Sequence, residues 1–190
     1  MKSTADFIYE LYYFSVTGDC WFDEEELKPY LLDKTRYTLY RGLFLPTSEI
    51  KVGNVIEQWG ACSHWTANFG VANDYMKVCN QEEYVAEYGR ERGTDGSFEE
   101  GIKLFSKVLM RLQGASNVLP LGRTLLNHSN DPEFIRVLEE CQSLNDFRDS
   151  LMDIIKEEEY SFFDCDFKIT SVEKFGDIWC VDVVQAPRNT

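Results

Sequence analysis

The chain turns on a stretch near its end, Ile154-Ile155-Lys156-Glu157-Glu158-Glu159-Tyr160-Ser161-Phe162-Phe163, which continues as Asp164-Cys165-Asp166-Phe167-Lys168-Ile169-Thr170-Ser171-Val172. Three consecutive carboxylates run directly into aromatic and β-branched residues, so acids stand where the chain enters a sheet. On an extended segment alternate side chains point the same way. Glu157 and Glu159 are therefore expected to share one site, with Glu158 facing away. Such a pair suits chemistry in which positive charge develops on a sugar carbon, one carboxylate stabilising that charge and the other handling the attacking group. The competing reading is a solvated acidic turn, the usual fate of a charge run.

Working outward, the composition bounds the alternatives. The chain has 190 residues, 44% of them apolar, enough for one domain with its own core. A formal net charge of −14, spread from Asp6 to Asp182, repels nucleic-acid backbones and phospholipid headgroups and attracts basic proteins. No apolar run reaches membrane-spanning length and Met1–Asp6 has no signal-peptide core, so a cytoplasmic protein is expected. Cys20, Cys62, Cys79, Cys141, Cys165 and Cys180 form no CxxC pair, which argues against zinc and a redox dithiol and for reduced, mostly buried thiols. Two histidines, His64 and His128, do not support a histidine-rich metal centre.

Apolar spacing predicts a packing helix over residues 3–16, capped by Ser3 or Thr4, and a second at about 23–33 that Pro29 kinks or splits. Thr35–Phe44 reads as a strand closed by Pro46. Within it, Arg41 must find an anion or reach water, through a structural ion pair or a ligand, and Gly42 beside it allows close backbone approach. Residues 47–59 read as a loop, and Gly60–Thr66 as a short strand of small and hydroxyl-bearing residues. Phe69, Val71, Ala72, Tyr75 and Met76 then fit an amphipathic helix with Asn68 as its cap. The polar stretch 80–100, with Gly89, Gly93 and Gly96, reads as exposed loop and partial helix, with Glu87 and Glu91 on its surface. A buried strand is expected at about 105–113, helices from Leu119 to Lys156 with a start at Asp131-Pro132, and a closing hairpin of Phe167–Val172 and Ile178–Val184 joined through 173–177. The order indicates an α+β fold.

Taken in sequence, Tyr40-Arg41-Gly42, a hydroxyl strand leading to Val71-Ala72 and Tyr75, and Glu157-Glu158-Glu159 followed by Phe167–Glu173 resemble the arginine–serine–glutamate class of ADP-ribosyltransferases. That class includes cholera-toxin-like enzymes, ecto-enzymes and the small transferases of T4-like bacteriophages. The likeness covers about residues 35–184. It implies a split β-sandwich, with residues 1–34 as an N-terminal helical part and 35–184 as a catalytic core. Two departures stand out. Anchoring on Val71-Ala72 sets His64-Trp65-Thr66 on the family's Ser-x-Ser/Thr triplet, so either His64 replaces the first serine or a one-residue shift restores Ser63. Residues 131–156 look helical where many relatives carry a loop.

The resemblance implies transfer of ADP-ribose from NAD to a protein side chain. Glu159 resembles the acid that supports the ribosyl cation, and Glu157 the acid that deprotonates the acceptor. Arg41 is then expected to hold the pyrophosphate or adjoining ribose, Ser63 or Thr66 to orient Glu159, and Trp65 or Phe69 to stack near nicotinamide. Glutamate at the first acid position goes with arginine acceptors in this class, and small size with no export signal fits its bacteriophage branch, which modifies host proteins. A monomer acting on a basic host protein is the expectation. Two alternatives are an NAD glycohydrolase of the same fold and a non-catalytic acidic interaction protein that mimics nucleic acid.

Overall fold

The structure is a computed structural model that describes residues 2–18, 22–57, 62–78, 104–163 and 165–188. Helix α1 spans Thr4–Thr17 and begins with a capping box: the Ser3 hydroxyl accepts from the Asp6 N–H at 3.2 Å, and the Asp6 carboxylate accepts from the Ser3 N–H at 3.3 Å. Its end is set by Gly18, whose φ of 78° lets its N–H turn back onto the Phe14 carbonyl at 2.8 Å. Helix α2, Glu24–Leu27, gives way to a 3-10 turn at Lys28–Tyr30, where Pro29 removes the donor a continuing helix needs.

The sheet has seven strands among the described residues. They are β1 (Thr38–Pro46), β2 (Val55–Ile56), β3 (Cys62–Thr66), β4 (Phe105–Gln113), β5 (Glu159–Phe163), β6 (Cys165–Phe175) and β7 (Ile178–Pro187), in the order β2-β6-β7-β4-β1-β3-β5. The β1–β4 pair is antiparallel along its whole length, β4–β7 is parallel, and β6–β7 is a hairpin closed by Gly176-Asp177 with Gly176 at φ 63°. Between β1 and β3 the only Cα partners are Tyr40 and Thr66, whereas β3 and β5 pair over five positions. The sheet therefore divides into a five-stranded part and a two-stranded ribbon that meet at one point.

Burial follows from strand alternation. Leu39, Val108, Met110, Leu112 and Val181 of the larger part close on Trp65, Tyr160 and Phe162 of the ribbon to form the main core. A second core lies among the helices, where Phe7, Ile8, Leu11 and Phe14 of α1 meet α4 (Leu121–His128), α5 (Pro132–Glu140) and α6 (Leu144–Glu157) through Leu125, Phe134, Leu138 and Phe147. Asp131 caps α5, its side chain accepting from the Glu133 N–H at 2.9 Å. Helix α3 (Phe69–Val78) covers the β1–β4 pair, burying Ala72 and Met76 against Leu109.

Several expectations are corrected. The first strand begins at Thr38 because the buried Thr35 hydroxyl takes the Tyr37 N–H at 3.1 Å, a local turn that competes with a ladder. Part of the passage read as a loop forms β2 against β6, and the closing hairpin is longer, since Glu173–Phe175 still pair with Ile178–Cys180. Cys141 is exposed and Cys165 and Cys180 half-buried, so the described thiols are less buried than anticipated. Gly60, Ala61 and the stretch 80–100, with Glu87 and Glu91, lie outside the described residues.

Gly42 has a structural role that the sequence did not reveal. A Cβ there would lie 2.0 Å from the Ala72 carbonyl oxygen and 2.7 Å from Met76 Cγ, so the space beside it is filled by α3. Backbone cannot yield as a side-chain tip can. Gly42→Ala should lower the urea midpoint by the equivalent of about 3 kcal/mol or more, the upper end of overpacking costs, in equilibrium unfolding followed by circular dichroism.

Candidate active site

Where the ribbon parts from the larger sheet, a cavity of about 310 Å³ opens. Six elements border it: Phe14 and Ser15 of α1, Tyr40, Arg41 and Gly42 of β1, His64, Trp65 and Thr66 of β3, Val71, Ala72 and Tyr75 of α3, Glu157 of α6 and Glu159 of β5. Arg41 and the acidic pair Glu157 and Glu159, far apart in sequence, thus border one space.

The two acids arrive there by a different route from strand alternation. Glu157 is the last residue of α6, Glu159 the first of β5, and Glu158 between them is left-handed at φ 45°, ψ 50°. Only glycine and, less readily, asparagine or aspartate visit that region without strain, and another L-residue there costs about 1–2 kcal/mol. The turn is held on both sides, since the Glu158 N–H reaches the Ile155 carbonyl at 3.1 Å and its own carbonyl accepts from the Ala67 N–H at 3.2 Å. The outcome for Glu158 is the expected one. It is exposed and borders a separate cavity of about 210 Å³ with Tyr37, Arg123 and Tyr160.

Pairing of β3 with β5 sets His64 opposite Ser161 and Thr66 opposite Glu159. The His64 Nδ1 and Glu159 Oε1 are in direct hydrogen-bonding contact, and the Ser161 hydroxyl lies 3.2 Å from that nitrogen and 3.3 Å from that oxygen. Glu159 keeps 12% of its side-chain surface exposed and His64 43%. The Thr66 hydroxyl donates to the Glu157 carbonyl and accepts the Asn68 N–H at 2.9 Å, so it ties the end of α6 to the start of α3 rather than holding Glu159.

Ser63 faces the other way, and Trp65, although it borders the cavity, packs its ring into the core. Ser63 is fully buried and accepts from Trp65 Nε1 at 3.2 Å, while the indole packs 4.7 Å from the Phe167 ring. His64, not Ser63, therefore occupies the cavity face, and the Trp65 ring is committed to the core. Phe69 lies outside the cavity lining, 53% exposed and edge-on to Tyr40 at 5.6 Å. The sequence reading missed Phe14, whose ring sits 5.2 Å from the His64 imidazole, and Ser161. Ser161 could have been found two residues after Glu159 on the same strand face.

Glu157 is held above the usual carboxylate range, chiefly by burial, then by the charges of Glu159 and Asp153, with His64 pulling the other way. Among the described residues no group of three or more His, Cys, Asp or Glu could hold a metal ion, and no helix is long and apolar enough to cross a membrane.

No family model matches the chain, and no curated protein sequence is similar to it. Solved structures are. The crystal structure of ADP-ribosyltransferase Vis in complex with M6 inhibitor superposes with a TM-score of 0.57 at 15% identity, covering 96% of this chain and 73% of that one. The same protein in complex with agmatine gives a TM-score of 0.55 at 15% identity, covering 96% and 75%. A further structure, the Vis toxin, an ADP-ribosyltransferase from Vibrio splendidus, gives 0.45 at 15% identity over 82% of this chain, which spans half of that chain's length. The present chain has the α+β fold of these ADP-ribosyltransferases.

The raised Glu157 carboxyl has a consequence for stability. The folded state binds this proton more tightly than the unfolded state, so stability from this group is present at low pH and is lost as pH rises through the folded value. Glu157→Gln should therefore raise the thermal midpoint at pH 7, and the gain should shrink below the ordinary carboxylate range near pH 4, as scanning calorimetry across that interval can show.

Proposed function

We propose that this chain is an NAD-dependent mono-ADP-ribosyltransferase whose acceptor is an arginine of a basic host protein. The observation carrying the reading is the convergence of Arg41, His64, Glu157 and Glu159 on one cavity within the fold of ADP-ribosyltransferases. A chain of net charge −14 repels an anionic dinucleotide, so a guanidinium bordering the cavity is what its pyrophosphate requires.

In this reading nicotinamide leaves with the electron pair of its bond to the ribose carbon, which becomes oxocarbenium-like. Glu159, mostly shielded from water, stabilises that cation more strongly than a solvated carboxylate could. An arginine nitrogen then bonds to the same carbon, and Glu157 takes the proton it sheds. A carboxylate whose proton affinity is raised by burial is better matched to that task than an ordinary one. Three further points support arginine: glutamate rather than glutamine at 157, an acidic surface suited to a basic target, and agmatine, a guanidine, in one structural neighbour. The resemblance to bacteriophage transferases makes a host transcription or translation protein the proposed target.

The test is incubation with biotin-tagged NAD and bacterial lysate, read by blotting and by nicotinamide release. Glu159→Gln should cut release by about 10²–10³-fold, as loss of a transition-state contact does. Arg41→Ala should raise KM for NAD more than it lowers kcat, and Glu157→Gln should abolish protein labelling while sparing release into water. Wild-type protein that neither labels any lysate nor releases nicotinamide would sink the proposal, and release without labelling would make it a glycohydrolase.

A further inference from the structure

The position that resembles the family's first serine is here a titratable ring, and the structure ties that ring to the proposed cation-stabilising acid. Register pairing sets His64 opposite Ser161, two residues along β5 from Glu159 and on the same strand face, and Nδ1 contacts Glu159 Oε1 directly. The Ser161 hydroxyl sits within reach of both atoms, and Phe14 stacks beside the imidazole at a 31° tilt, so the ring is held from two sides. A serine hydroxyl can hold a carboxylate in one protonation state only. An imidazole has two. Neutral, with the proton on Nδ1, it donates to Glu159 and leaves the carboxylate its full charge. Doubly protonated, it offers the same hydrogen bond but adds a positive charge beside the carboxylate meant to attract a developing cation.

We propose that His64 is the positioning residue for Glu159 and that its second protonation switches the reaction off on the acid side. This rests on the transferase reading. Among the described residues, the titratable groups that border the cavity with His64 are Glu159 from β5, Glu157 from the end of α6, Tyr40 and Arg41 from β1 and Tyr75 from α3, while α1 contributes the uncharged Phe14 and Ser15. Tyrosine and arginine do not change charge between pH 5 and 8 in their ordinary range. Glu157 is the rival for an acid limb, because burial and its acidic neighbours lift it toward that window.

The experiment has two arms. In the first, NMR follows the two imidazoles of the chain, His64 and His128, through pH in wild type, Glu159→Gln and Glu157→Gln, with His64→Ser making the assignment. The His64 midpoint is expected to move to lower pH in Glu159→Gln, and by more than in Glu157→Gln. In the second, nicotinamide release at saturating NAD is measured from pH 5 to 8. Wild type should fall about tenfold per pH unit below the His64 midpoint. His64→Gln and His64→Ser keep a hydrogen-bond donor but cannot titrate, so both should hold a plateau through that range. His64→Ala, with no donor, should lower kcat while leaving KM for NAD near wild type. A His64 midpoint unmoved by Glu159→Gln overturns the proposal, as does a wild-type acid limb that survives in both His64→Gln and His64→Ser. If the wild type releases no nicotinamide at any pH, the transferase reading falls and the switch with it, while the NMR arm still decides whether His64 and Glu159 are coupled.

Discussion

The pairing of β3 with β5 is the constraint on which the site depends. With Thr66 opposite Glu159 and His64 opposite Ser161, one face of the ribbon carries the polar groups of the cavity and the other carries Ser63, Trp65, Tyr160 and Phe162 into the core. A slip of one residue would exchange the faces, burying an imidazole and a carboxylate and exposing two of the largest core side chains. The hydrophobic demand of Trp65, Tyr160 and Phe162 thus fixes the register, and the register fixes the chemistry. Trp65, which also borders the cavity, serves the site by holding its neighbours on the correct side.

Around this ribbon the chain accepts local costs. Glu157 is buried enough that its charged form is disfavoured, and Glu158 sits in a backbone region that glycine would occupy more comfortably. Both lie at the α6–β5 junction, and both are over-determined by neighbours: the Thr66 hydroxyl on the Glu157 carbonyl, and Ala67 and Ile155 on the Glu158 backbone. Strain of this kind persists only where surrounding structure enforces it. Here the enforcement comes from two cores, one on each side of the ribbon, with Phe14 of α1 reaching from the helical core to the His64 ring.

Much of the fold was legible because periodicity and caps report local structure directly. Ser3, Asn68 and Asp131 each mark a helix start, and β4 emerges within a residue of its expected bounds. What escaped depended on partners distant in sequence. Two-residue β2 has too few side chains to show alternation and exists because β6 pairs with it. Gly42 borders the cavity, as its place beside Arg41 suggested, but that its missing Cβ also makes room for the α3 backbone could not be read from β1 alone. The choice between Ser63 and His64 could not be made from β3 alone, since small, polar and aromatic residues follow one another without a clear apolar face. It was decided by which of them Trp65 and Phe162 take into the core.

The one-residue left-handed turn at Glu158 bears on how the acidic motif can vary. Because Glu157 belongs to a helix and Glu159 to a strand, the spacing of the two acids is that of a helix terminus, and an inserted residue would rotate Glu157 away by about 100°. The middle position takes no part in the cavity, yet its range is narrow: glycine fits a positive φ best, asparagine and aspartate less readily, other unbranched residues only at a cost, and valine, isoleucine and proline not at all. The variable letter of Glu-x-Glu is, in this chain, a backbone requirement written between two chemical ones.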